Sequence, residues 1–156
     1  MTVIVQNRQE KVPVTDVLGL TARRAAEAAL NSAALPGEVE LGITFVDDAA
    51  MQELNHRYRG KNEPTDVLSF PMGEEEPQED GSRVLLLGDV VVSLETALRS
   101  ARALQRVLAE EVAKLVVHGT LHLLGCDHET GEDAARMRGK EEEILNTMVL
   151  NPPGVE

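Results

Sequence analysis

A chain of 156 residues has room for one ordinary domain and excludes two large ones. With 42% apolar and 27% charged residues it can build its own core, yet 2% aromatics (Phe45, Tyr58 and Phe70, no Trp) leave that core to Leu, Val, Ile and Ala, and the expectation is that aromatic base-stacking platforms for nucleic acid are unavailable, which excludes RRM-like readers. Fifteen basic against 27 acidic residues give a net charge of −12 with His neutral, which opposes general adhesion to phosphate backbones and confines any nucleic-acid contact to a local patch.

The β-branched start predicts a strand over 2–7. From Val14 to Asn31, apolar residues recur at three and four and the run closes at Pro36-Gly37, as in an amphipathic helix covering one sheet face. Residues 38–46 alternate as a strand, and Asp47-Asp48 offers a cap to a helix running to about Arg57. Gly60 and Pro64 bracket a loop, after which 66–70 reads as a strand ended by Pro71. The acidic stretch 73–82 is expected to be a solvated loop. Residues 83–92 form the most apolar strand candidate, central in the sheet, and Ser93 caps a helix to about Gln105. Residues 107–124 are apolar almost all round, the mark of a buried helix, which Gly125 ends. Thr130 and Asp133 open a terminal helix reaching about Met148, before Pro152-Pro153. No internal repeat is visible. The sum is an α+β fold in a single domain over 1–156, a small mixed four-stranded sheet packed with about five helices.

One cysteine, Cys126, cannot form an internal disulfide, the start lacks a basic-then-apolar leader, and no window approaches the roughly 18 apolar residues of a membrane span. A cytoplasmic location without membrane contact is the expectation.

Three of the four histidines lie in the string His118-Gly-Thr-Leu-His122-Leu-Leu-Gly-Cys-Asp-His128. Helix positions four apart share one face, about 6 Å along the axis and 40° around it, so His118 and His122 can aim ring nitrogens at one point. Gly125 lets the chain leave the helix and bring His128 back toward the pair. Three neutral imidazoles suit one zinc ion per chain and leave a fourth position for water, the catalytic arrangement, although nickel, copper or iron would also accept them. Plain core histidines would bury an imidazole without a partner at about 1 to 3 kcal/mol. His56, in a polar helix end, reads as an exposed residue. In zinc proteases of the HExxH type a glutamate follows the first histidine as general base, and here that place is Gly119. Asp127 has two readings, a carboxylate steadying a histidine or a helix-end turn residue.

These residues resemble the YbeY family of bacterial endoribonucleases. HGTLHLLGCDH is similar to that family's HGxLHLxGYDH signature. Leu54 to Pro71, LNHRYRGKNEPTDVLSFP, is similar to its LNxxYRxKDxPTDVLSFP motif, and Leu87-Gly88-Asp89-Val90 with Ser93 to its LGDI-type strand. The resemblance implies a zincin-like three-histidine zinc site and single-strand-specific cleavage of RNA. It also implies maturation of the 3′ terminus of 16S rRNA and late-stage 70S ribosome quality control. Its expected partners are single-stranded RNA, small-subunit rRNA, ribosomal proteins and ribosome-biogenesis factors, and not DNA. Cys126 replaces the usual Tyr and Asn62 a frequent Asp; the thiol reads as a small buried residue, or as a redox-sensitive neighbour or extra ligand of the metal.

Arg57, Arg59 and Lys61 form a local positive cluster. Arg59 matches the motif arginine, and a guanidinium can donate two charge-assisted hydrogen bonds to a phosphate, which makes it the expected catalytic residue. Thr65, Asp66 and Ser69 are expected to organise the turn and strand. Two other readings remain open: a zinc metallopeptidase-like hydrolase, disfavoured by Gly119, and a non-catalytic ribosome-assembly factor with structural zinc.

Overall fold

A computed structural model describes residues 1–126 and 130–150. In chain order it contains β1 (Thr2–Asn7), α1 (Asp16–Ser32), β2 (Glu38–Val46), α2 (Asp48–Arg59), β3 (Val67–Pro77), β4 (Arg83–Ser93), α3 (Leu94–Ala103), α4 (Leu108–Leu123) and α5 (Gly131–Leu150). The sheet order is β1-β2-β4-β3, with β1, β2 and β4 parallel and β3 antiparallel to β4. This is the expected α+β fold with a mixed four-stranded sheet and five helices.

Side-chain alternation divides the core between the two faces of the sheet. Val39, Leu41, Ile43 and Phe45 of β2 and Val90 and Val92 of β4 point into a large cluster with α1 and α4. Val46, Leu68 and Val91, of opposite parity, meet Met51 of α2 in a smaller one. The apolar run of α4 has the predicted cause, because α1, α3, α5, β3 and β4 all touch it. β4 is paired on both sides, as its composition required.

Helix starts follow the chemistry of their caps. Thr15 accepts from the Leu18 backbone N–H, Asp47 from Ala50, Ser93 from Thr96, and Thr130 from Asp133. The start of α1 falls at Asp16, two residues past the predicted Val14, because the extended Thr15 serves as its cap.

The acidic segment departs from expectation. β3 does not stop at Pro71; after an irregularity between Pro71 and Glu74 it pairs Glu74, Glu75 and Glu76 with Leu86, Leu85 and Val84. An edge strand tolerates a proline without a ladder donor, and carboxylates on its open side stay in water. The turn is confined to 78–82, where the Gln78 N–H donates to the Ser82 carbonyl at 2.8 Å and Asp80 accepts from Ser82.

Candidate functional site

α4 carries His118 and His122, which line a cleft together with residues of β3. Their rings meet edge to face, with centroids 4.7 Å apart, and their Nε2 atoms approach to 3.1 Å. On its other side, His118 presents Nδ1 to Glu141 Oε1 of α5 at 2.5 Å, and the Glu141 side chain is only 12% exposed. A carboxylate at Nδ1 takes that nitrogen's proton as a hydrogen bond and leaves Nε2 with its lone pair, the tautomer a metal ligand requires. Two nitrogens bound tetrahedrally at ~2.0 to 2.1 Å would stand ~3.3 Å apart, so the Nε2 pair has the spacing of two ligands sharing one cation.

Gly125 ends α4 as expected. At φ +93° it takes a conformation that residues with a Cβ rarely adopt, and the backbone N–H groups of Gly125 and Cys126 close on the carbonyls of His122 and Leu121. His128, the third predicted ligand, and Asp127 lie outside the described residues. Among the described residues, no group of three or more His, Cys, Asp and Glu side chains forms a metal cage. Cys126 is half-buried, packs against the main core and has Lys140 Nζ at 3.8 Å from its sulfur.

The second half of the site comes from α2. Gly60 at φ +71° stops that helix immediately after Arg59 by donating to the His56 carbonyl. Buried Asn55 then donates from Nδ2 to the Glu63 carbonyl at 2.8 Å, tying the following loop to the helix. Arg59 is exposed, and among the described residues its guanidinium has no carboxylate partner. His56, Arg57 and Lys61 are exposed as well. Arg59 and the two histidines line one cleft of about 610 Å³, together with Tyr58 and the segment 65–71 that includes Phe70. Aromatic scarcity therefore does not empty the site of aromatics: two of the three line its wall, against the expectation drawn from composition.

Gly119 explains how closely α4 and the sheet approach. A Cβ there would stand 2.7 Å from Val90 Cγ1 and 3.1 Å from Ser69 Oγ, while the Ser69 hydroxyl donates to the Gly119 carbonyl at 2.8 Å. A protease-type glutamate has no room at this position. Ser69 thus fastens strand to helix, the organising role expected of it. Asp66 accepts from the Val67 backbone N–H at 2.8 Å and likewise shapes the strand's start.

The family model described as endoribonuclease YbeY matches residues 4–149. The chain belongs to the YbeY family. A curated relative from Pelotomaculum thermopropionicum, named endoribonuclease YbeY, is 47% identical over 150 residues, covering 96% of this chain and 99% of the relative. Its namesake from Moorella thermoacetica is 46% identical, covering 90% and 93%. The solution structure of a Thermotoga maritima protein aligns at a TM-score of 0.57 with 25% identity, covering 99% of both chains. Residues of two YbeY-like segments distant in sequence, from Tyr58 to Pro71 and from His118 to Leu123, thus line one cleft. Glu141 escaped the sequence reading, since nothing in the run KEEEI marks one carboxylate as facing α4.

Proposed function

We propose that this chain is a metal-dependent endoribonuclease that cleaves single-stranded RNA in the cleft between α2 and α4. Membership of the YbeY family supports the activity. The observation that carries the site is the convergence of the His118 and His122 Nε2 atoms at 3.1 Å in the cleft that Arg59 also lines. His118, His122 and His128 would hold one zinc ion per chain, with Glu141 fixing the His118 tautomer. When bound, that ion supplies Lewis acidity beside the scissile phosphate. Arg59 donates from its guanidinium to the non-bridging phosphate oxygens and stabilises the negative charge that grows on them during cleavage. The small-subunit rRNA near its 3′ terminus, in late-stage 70S quality control, is the proposed substrate. Ribosomal proteins and ribosome-biogenesis factors are the proposed partners in the cytoplasm. Among the described residues, no helix is long and apolar enough to cross a membrane.

The test pairs metal analysis with an RNase assay on the wild type, His118→Ala and Arg59→Ala. Both variants should lose cleavage of single-stranded RNA; His118→Ala should also lose metal, while Arg59→Ala keeps it and reports any contaminating nuclease. Full activity in either variant overturns the assignment.

A further inference from the structure

Tyr58 stands one residue before Arg59 at the end of α2, and Phe70 lies across from it on β3. Their ring centroids are 5.2 Å apart with planes at 74°. In such an edge-to-face contact, whichever ring supplies the edge, at least one π-face of Tyr58 is left uncovered by Phe70. The residue is 60% exposed in the cleft, although large apolar side chains of this chain are mostly buried. Phe70 in turn packs against the small core of Val46, Met51, Leu68 and Val91, which braces the pair. An open aromatic face beside an exposed guanidinium matches the two chemistries that one nucleotide presents, a flat base and an anionic phosphate.

We propose that Tyr58, braced by Phe70, is a stacking platform for one unpaired base of the strand whose phosphate Arg59 holds. It is thereby the element that selects single strands. Bases in a duplex are already stacked on both faces and paired, so bringing one to Tyr58 requires extruding it, whereas an unpaired base needs no such step. Because every base has a π-face, the platform chooses strandedness rather than sequence. The proposal rests on the reading of the cleft as an RNA site.

Tyr58 is the sole tyrosine in a chain without tryptophan, so its fluorescence reports on this spot alone. Metal-loaded wild-type protein is titrated with a mixed-sequence 2′-O-methyl oligoribonucleotide, alone and annealed to its complement. The single strand should quench the tyrosine emission saturably and the duplex should not. By anisotropy of a labelled strand, Tyr58→Ala should bind about 5- to 100-fold more weakly, and Tyr58→Phe should restore binding. On cleavable RNA the loss should appear in KM rather than kcat. Tyr58→Leu keeps an apolar cover over Phe70 but removes the π-face, so it separates stacking from shielding. Wild-type affinity in that variant, or no quenching in the wild type, overturns the platform. Quenching without any cleavage by the wild type would keep the platform and remove the nuclease; cleavage with an unchanged KM in Tyr58→Leu would do the reverse.

Discussion

Gly119 shows how one absent side chain can shape a site. Its Cα lies so close to the sheet that a methyl group would press on Val90 Cγ1, and Val90 is fully buried with a stiff, branched side chain. Replacing a helical glycine by alanine ordinarily gains about 1 kcal/mol, whereas overpacking a core costs about 1 to 3 kcal/mol. Gly119→Ala should therefore lower stability by up to about 2 kcal/mol, read as an earlier midpoint in urea. A later midpoint would show that α4 can back away from β4 at no cost. Glu141 poses the complementary case, a carboxylate that touches His118 through Nδ1 only. Removing such a partner typically weakens metal affinity about 10- to 100-fold. Competition with a chelator should show that loss in Glu141→Ala while circular dichroism stays native. Unchanged affinity would mean that α5 merely covers the ring.

Among the elements, α2 and α3 are clasped at their N-terminal ends. Glu95 of α3 accepts from the Asp48 backbone N–H at 3.0 Å, and Asp48 accepts from the hydroxyls of Ser93 at 2.7 Å and Thr96 at 2.6 Å and pairs with Arg99 at 2.8 Å. Burial pushes the Asp48 carboxyl up, but hydrogen bonds from Thr96, Ser93 and Arg99 and the Arg99 charge outweigh it and hold it below its ordinary 3.8. A carboxyl lowered by folding adds stability that is fully present above its unfolded value and is lost as pH falls through the lower folded one. Wild type should thus exceed Asp48→Asn in thermal midpoint at neutral pH, and the gap should close in acid below 3.8; a gap that persists there would refute the clasp. Caps of this kind also mark what the chain discloses about itself. Asp47, Ser93, Gly60 and Gly125 act within a few residues, so local chemistry sufficed to place the helices and the two α4 histidines. Asp48 with Ser93 and Thr96, and His118 with Glu141, act across 45, 48 and 23 residues, where only packing decides the partner. The acidic half of β3 departs from its expected loop for the same reason: its composition says water, and the ladder with β4 that makes it a strand is a tertiary fact.

For the whole molecule, the governing quantity is charge. A net −12 opposes the approach of an RNA strand, and the cations nearest the cleft in sequence are the exposed Arg57 and Lys61 that flank Arg59, which lines it. Each phosphate neutralised on a single strand lowers log K by ~0.7 per decade of salt. If these three side chains take up to three phosphates, the slope of log K against log salt should be no steeper than about −2. Stacking on Tyr58 adds affinity without displacing counterions, so Tyr58→Ala should lower the line without changing its slope, whereas Lys61→Ala should make it shallower by ~0.7. Binding of a 2′-O-methyl strand across a range of potassium chloride concentrations measures both. A slope much steeper than −2 would mean that the strand reaches a second basic surface, and the cleft would no longer account for recognition by itself. A shallow slope leaves affinity for free RNA weak, because three phosphate contacts must act against the field of the remaining surface. An enzyme so built works efficiently only where something else holds its RNA substrate close.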